Sequence, residues 1–211
     1  MHSYDFRAYT NSFLVFLFFL TYNIFTNDLL LLKNISKASA VAATILIAIT
    51  LILGPLSRFF PKHFRHDLVF RKPLGLAGFG FAVLHVAVSV VNTYNSDLFF
   101  IFSEANSNFL PAVYGTVALL IIIALAITST PKSIKNMGFA KWKIFQRTAY
   151  IALIFTIMHF VYVGNGYFLK STIGKSVLAL ALIALVFKAI TIILGKKKKH
   201  SAKEIGHLTK N

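Results

Sequence analysis

The sequence is poor in acidic residues and contains no cysteine. Only six of its 211 residues are aspartate or glutamate, and charged residues make up 13% of the chain. Because soluble domains carry about 25% charged residues, this composition indicates a protein whose solvent is lipid. The lack of cysteine excludes disulfides, thiolate chemistry, iron–sulfur clusters and cysteine-based zinc sites.

What the chain does contain is apolar sequence in long runs. Hydrophobic residues make up 57% of the chain, and the mean hydropathy is +0.72. Six of the runs are long enough to cross a bilayer, and they predict an all-α membrane protein with a bundle of six transmembrane helices. The predicted spans are 12–32, 38–56, 73–95, 110–128, 143–163 and 174–194. Together with their short connections they form one predicted domain, residues 1–195, which a basic tail over residues 196–211 follows.

Basic residues are distributed unequally between the two sides of the predicted bundle. Of the 22 lysines and arginines, 18 fall on one side or at its helix ends and four fall on the other side. The four are Lys33, Lys37, Lys170 and Lys175. By the positive-inside rule, both termini and the basic tail are predicted to be cytoplasmic. The net charge of +16 is therefore interpreted as a topology signal, with the tail near anionic headgroups, and no nucleic-acid partner is predicted.

Two histidines lie alone within apolar runs. His85 is in GLAGFGFAVLHVAVSVV and His159 is in TAYIALIFTIMHFVYV. An ionisable side chain inside a bilayer is costly and usually marks a cofactor, an ion pathway or a relay. Counting about 1.5 Å of rise per residue from Lys72 and from Lys143, the two imidazoles lie at similar depth on helices that run in the same direction. The pair therefore predicts the axial ligands of one haem.

Polar and small residues near these histidines permit more than one interpretation. Ser89 and Thr156 lie one turn from their histidines and are candidates for hydrogen bonds to the rings. Gly78, Ala82 and Ala152 could border a flat cofactor, but small residues serve close helix packing equally well. The histidines could also act in a proton relay or in packing, in which case the chain would be a non-redox transporter or a scaffold subunit.

Three segments resemble the ferric reductase-like transmembrane superfamily. They are RKPLGLAGFGFAVLHVAVS on the third span, AITSTP closing the fourth, and WKIFQRTAYIALIFTIMHFVYVG on the fifth. The chain looks most like the single-haem STEAP metalloreductases and the haem subunit of the bacterial methionine sulfoxide reductase system (MsrQ), over roughly residues 36–165. The resemblance implies a b-type haem held by His85 and His159, and electron transfer from the cytoplasm to the outside.

The resemblance also bears on the number of haems. Double-haem members carry a second histidine pair nearer the cytoplasm, and the corresponding positions here are Arg71 and Gln146. The MsrQ-like pattern has a histidine where Gln146 stands, whereas the STEAP pattern has a glutamine near that point, beside a flavin. Since neither Arg71 nor Gln146 is a plausible haem ligand, one haem is predicted.

A haem in the outer half of the membrane needs a second cofactor nearer the cytoplasm. FMN, FAD or a quinone is the expected bridge, with Gln146 bonded to a ring edge and Trp142 stacked on it. Basic residues of the same region could pair with a flavin phosphate: Arg71, Lys72, Lys141, Lys143 and Arg147. The competing interpretation is that these are ordinary positive-inside flanks and an interfacial tryptophan.

The sequence therefore predicts a haem-containing oxidoreductase, or the electron-transfer subunit of one, in a bacterial cytoplasmic membrane. Because no Rossmann-type module or glycine-rich phosphate loop is present, a separate reductase or redox partner would supply the electrons. The predicted acceptor outside is ferric iron, oxygen or a periplasmic partner. The oligomeric state is not predicted.

Overall fold

The protein is a bundle of six long helices. The computed structural model describes residues 3–26 and 30–208, without the side chains of Asn165, Tyr167 and 196–208. Across these residues it is helical and contains no strand. The six long helices are α1 Ser3–Thr26, α2 Leu31–Phe59, α3 Arg71–Tyr94, α4 Phe109–Ile127, α5 Ala149–Tyr162 and α6 Thr172–Leu208. Each of six helical segments is long and apolar enough to cross a membrane, which confirms the predicted class and span number.

Shorter helices connect the long ones. Four are α-helical: Pro61–Phe64, Leu98–Ile101, Pro131–Met137 and Phe139–Phe145. Three are 3₁₀ segments: His66–Phe70, Gln146–Thr148 and Val163–Lys170. Pro131 occupies the first turn of its helix, where Thr130 caps the start by accepting from the Ser133 amide at 3.2 Å. Proline suits this position because the amide it lacks has no partner within the helix.

Helix α2 is the centre of the bundle. Its most apolar stretch is 72% buried, whereas the corresponding stretches of the other spans are 6–22% buried. It packs against α1, α3, α5 and α6, while α4 packs mainly on α5. The side chains that α2 buries completely are small, among them Ala38, Ser39, Ala42 and Ala48. Small residues let helix backbones approach closely, which is the main source of helix association in lipid.

The clearest differences from the expected helix boundaries lie at the first connection and at the end of the chain. The first span is predicted to continue to residue 32 and the second to begin at residue 38, but α1 ends at Thr26 and α2 begins at Leu31. The leucines at 29–32 continue the apolar run beyond the end of α1 and into α2. At the other end of the chain, α6 continues to Leu208, through most of the predicted tail. Residues 209–211 lie outside the described part.

The bundle has two chemically different ends. Arg58 lies at the end of α2, Arg71 begins α3, and Arg147 precedes α5; we call this the basic end. At the opposite end, the Asn108 side chain accepts a hydrogen bond from the Gly164 amide at 3.0 Å, which ties the start of α4 to the end of α5. We call this the histidine end, because both membrane histidines lie in its half of the bundle.

Candidate functional site

The structure brings His85 and His159 together. Their ring centroids are 6.1 Å apart, and the ring planes are inclined by 71°. His85 lies on α3 and His159 near the end of α5, and both helices run from the basic end towards the histidine end. Two ionisable side chains at this spacing, within helices that bury little other polar surface, form the candidate site.

His85 is held by the beginning of α2. Its Nδ1 lies 3.0 Å from the Ser36 carbonyl oxygen and 3.0 Å from the Ser36 hydroxyl. The same hydroxyl is 2.7 Å from the Ser89 hydroxyl, one turn along α3 from the histidine. Ser89 thus belongs to this network, but it acts through Ser36, which the sequence analysis did not single out.

His159 is held by the first turns of α4. Its Nδ1 donates to the Pro111 carbonyl oxygen at 2.7 Å. Gly115 lies four residues further along the same helix face, and a Cβ placed there would be 2.8 Å from His159 Nδ1. The imidazole therefore occupies the space that any side chain at position 115 would fill. Thr156, the predicted partner of His159, instead donates to the Ala152 carbonyl of its own helix at 2.9 Å.

These contacts determine which ring nitrogen carries the proton. A carbonyl oxygen only accepts hydrogen bonds, so Nδ1 of each neutral imidazole must be the donor. The lone pair of each ring is then on Nε2, as in histidines that bind a metal through one nitrogen and a carbonyl through the other. Both histidines are thus prepared in the same tautomer for coordination.

The spacing of the two rings fits a haem iron between them. A metal–imidazole bond of about 2.0 Å, with each centroid roughly 1.2 Å behind its nitrogen, separates two axial rings by about 6.4 Å. The observed separation is 6.1 Å. In the described residues no group of three or more His, Asp or Glu could hold a metal ion, and the two rings are the candidate ligands of a cofactor.

A buried donor without a partner lies on the same side of α3. The Asn92 Nδ2 atom is buried and has no hydrogen-bond partner, and Asn92 is seven residues, about two turns, beyond His85. Gly78, two turns before His85, has a different role: a Cβ there would lie 2.9 Å from Ile47 Cγ1. Gly78 therefore serves helix packing against α2, and Asn92 offers a donor to a bound group.

The residues expected around a flavin are divided between two places. Gln146 Nε2 donates to the Thr128 hydroxyl at 3.3 Å and to the Leu125 carbonyl at 3.4 Å. Trp142 Nε1 donates to the Thr128 carbonyl at 3.0 Å. Both side chains therefore face the end of α4.

Arg71 is directed away from this pair. Its Nε donates to the Thr50 carbonyl on α2 at 3.0 Å, and among the described residues no hydrogen bond joins Arg71 to Gln146 or Trp142. Lys72 and Arg147 are exposed, and Arg147 follows Gln146 in the same 3₁₀ segment. The structure thus places Gln146 and Trp142 at the end of α4 and Arg71 against α2.

Ser36, Pro111 and Gly115 are the site residues that sequence reasoning missed. Ser36 is 49 residues from His85, and nothing local to the histidine points to it. Pro111 acts through its main-chain oxygen, which every residue has. The one available signal is the spacing of Pro111 and Gly115 in PAVYG, which places a glycine one helical turn after a proline at the start of α4.

Comparison with known proteins identifies the family of this chain. The family described as ferric reductase like transmembrane component matches residues 39–157, more than half of the chain and inclusive of His85. The heme-binding subunit MsrQ of protein-methionine-sulfoxide reductase is 27% identical in Agrobacterium fabrum, over 61% of this chain and 58% of that protein. The Herminiimonas arsenicoxydans MsrQ is 29% identical, over 68% of this chain and 65% of that protein.

A third relative shares only a short region. The magnetosome protein MamZ of Magnetospirillum gryphiswaldense is 33% identical over 46% of this chain and 15% of that protein. The chain thus spans less than two thirds of the length of each of these relatives. By the family match, the apolar helices and the paired histidines, it belongs to the ferric reductase-like transmembrane family.

Proposed function

We propose that this protein is a membrane redox subunit that binds one b-type haem through His85 and His159 and passes electrons across the bilayer. The observation that carries the proposal is the pair of rings 6.1 Å apart, each with Nδ1 bonded to a main-chain carbonyl. The similarity to MsrQ proteins, which are named as heme-binding subunits, supports the same conclusion. When bound, the haem supplies one-electron redox chemistry.

The protein's own contribution is to fix the axial ligands and exclude water. The carbonyls of Ser36 and Pro111 hold each imidazole in one tautomer and orientation, which strengthens its nitrogen as a ligand. The Asn92 amide is available to a polar edge of the bound group. The half-buried hydroxyls of Ser36 and Ser89 bond to each other and so satisfy polar groups that lipid could not.

We further propose that the basic end faces the cytoplasm and that electrons enter there from a separate reductase. Arg71 and His85 are separated by 14 residues of continuous helix, about 21 Å. Because electron tunnelling weakens steeply with distance, a flavin or quinone near Gln146, Trp142 and Arg147 would shorten the path. Lys72 is the further phosphate partner proposed for a flavin, because Arg71 is bonded to α2, away from Gln146 and Trp142.

The haem proposal is tested by a reduced-minus-oxidised absorption spectrum of the purified protein, with haem quantified per chain. We expect one low-spin b-type haem, lost in both His85→Ala and His159→Ala. His63→Ala is the matched control, since His63 is exposed in a connecting helix. Absence of haem after expression with ample supply would contradict the proposal and favour a transporter or scaffold.

The bridge is tested separately by titrating the purified protein with FMN and FAD. We expect binding that Gln146→Ala and Arg147→Ala weaken, with Lys132→Ala, on the exposed helix between α4 and α5, as the control. If neither flavin binds, a quinone becomes the proposed bridge. Reduction of ferric chelates or oxygen by the isolated protein would then distinguish an enzyme from a subunit that serves a partner outside.

A further inference from the structure

Three cationic side chains from different helices lie near one another at the basic end. Arg58 comes from the end of α2, Arg71 from the start of α3, and Lys188 from α6. All three lie around one stretch of α2: Arg58 belongs to it, Arg71 donates a hydrogen bond to it, and Lys188 reaches it through Tyr150. We call these three residues the cationic cluster.

Arg71 and Arg58 each lie beside a glycine of a neighbouring helix. Arg71 Nε donates to the Thr50 carbonyl at 3.0 Å, and a Cβ at Gly54 would lie 3.6 Å from the Arg71 Cζ. Arg58, one turn beyond Gly54, reaches α6 at Gly195, where a Cβ would lie 3.6 Å from its Nη2. Both guanidinium groups therefore lie next to helix positions that carry no side chain.

Lys188 is placed by an aromatic ring on α5. Its Nζ lies 4.9 Å from the centre of the Tyr150 ring, a favourable cation–π distance. The Tyr150 hydroxyl donates to the Leu51 carbonyl at 3.0 Å, the residue next to the one that anchors Arg71. One turn of α2 thus positions both Arg71 and, through Tyr150, Lys188.

Within the described residues, none of the three cations forms an ion pair with a carboxylate. Like charges close together beside a low-dielectric bundle repel one another. A bound anion would relieve this repulsion. The planar guanidinium group of arginine can form two parallel hydrogen bonds to phosphate oxygens, so the anion that best fits two arginines and a lysine is a phosphate.

We propose that the cationic cluster binds the phosphate of an anionic phospholipid. Arg58 and Arg71 are exposed at helix ends, where headgroups lie and where basic pockets between helices bind acidic lipids. Below Lys188, α6 exposes the apolar side chains Val186 (56%) and Ile183 (46%), along which acyl chains can pack. Gln146 and Trp142, the pair expected beside a flavin ring, bond instead to the end of α4.

The test is the thermal unfolding of the full-length, haem-loaded protein in detergent with added lipid. We expect phosphatidylglycerol to raise the unfolding midpoint by about 3 °C or more, and phosphatidylcholine to raise it much less. Arg58→Gln and Lys188→Gln should each remove at least half of the difference. Lys135→Gln, an exposed lysine of the same end outside the cluster, should retain it.

Three results would overturn the proposal. The first is an unfolding midpoint raised equally by both lipids, and the second is a Lys135→Gln variant that loses as much of the lipid effect as the cluster variants do. The third is a midpoint that FMN raises and riboflavin does not, with FMN abolishing the effect of phosphatidylglycerol. The last would assign the phosphate to a flavin. Because haem content is read by absorption in the same samples, failure of the lipid response is distinguishable from failure of the proposed redox function.

Discussion

At the scale of single residues, the two histidines depend on different neighbours. His85 has a carbonyl and a hydroxyl at hydrogen-bond distance, both from Ser36, whereas the partner that the described residues give His159 is the Pro111 carbonyl. The space beside His159 exists because position 115 is glycine. The two ligands can therefore be perturbed separately, one through a hydroxyl and the other through steric bulk.

Gly115→Ala should impair haem binding without removing a ligand. The added methyl group would lie 2.8 Å from His159 Nδ1, so the ring must move away from its carbonyl. Losing such an orienting contact lowers affinity by about 10-fold or more, measured as haem retained per chain during dilution or transfer to apomyoglobin.

Gly75→Ala is the control for this variant. Its added Cβ would meet only Thr50 Cγ2, at 3.9 Å, an ordinary contact. Haem retention by Gly115→Ala equal to that of the control would contradict the role assigned to position 115.

Ser36→Ala should leave the haem bound but change its electronic properties. The carbonyl at position 36 remains, whereas the hydroxyl that draws on the His85 proton is lost. A weaker hydrogen bond makes the imidazole a poorer donor to ferric iron, so the midpoint potential should rise, by up to about 60 mV for a one-electron couple.

Potentiometric titration checks the Ser36→Ala prediction. Ser57→Ala is the matched control, because the Ser57 hydroxyl donates to the Gly54 carbonyl at the opposite end of α2. A potential that is unchanged, or that moves equally in both variants, would show that the Ser36 hydroxyl does not act on the haem ligand.

At the scale of helices, close packing of α2 against α3 sets the position of His85. Gly78 on α3 faces Ile47 and the Ala43 carbonyl on α2. These two helices are the most extensively packed pair in the bundle. Any change in their separation also changes the distance from Ser36 to His85. Packing and site geometry are therefore coupled through one helix pair.

Gly78→Ala should destabilise the protein, whereas Gly80→Ala on the same helix should not. The Cβ at position 78 would lie 2.9 Å from Ile47 Cγ1, and that at position 80 would meet nothing within 4 Å. Overpacking costs about 1–3 kcal/mol, and alanine in an open helix position gains about 1 kcal/mol over glycine. Thermal or denaturant unfolding in detergent checks the opposite signs, and equal effects would contradict the packing role.

Helix type and the pairing of the histidines could be predicted from sequence, because both follow from local patterns. His85 and His159 are rare ionisable residues in apolar runs, and span direction places them at similar depth. The break after Thr26 could not be located, since the leucines at 29–32 continue the apolar run beyond it. The acceptors of both histidines were not predictable, because a main-chain oxygen such as that of Pro111 carries no residue-specific signal.

At the scale of the whole molecule, the chain has two sides that differ in charge. If the basic end faces the cytoplasm, as we propose, Lys135→Cys should react with a membrane-impermeant maleimide only after the membrane is opened. Glu104→Cys, at the opposite end, should react in intact cells. Both residues are exposed, and the parent chain contains no cysteine, so it provides a background without labelling.

The reverse pattern of labelling would place the basic end outside and contradict the proposed direction of electron flow. It would leave the histidine geometry untouched, because the ring contacts do not depend on which side the bundle faces. The topology and the cofactor site are therefore tested independently.

The use of carbonyl oxygens as partners for both imidazoles has a consequence for how the protein can evolve. A hydroxyl or a carboxylate in that place could be lost by one mutation, but a carbonyl remains whatever residue occupies positions 36 and 111. Related chains can therefore drift at these positions and still present the same nitrogen to the cofactor. As long as the backbone follows the same path, a main-chain carbonyl keeps the proton of each ligand on Nδ1, and substitutions at these positions do not change that.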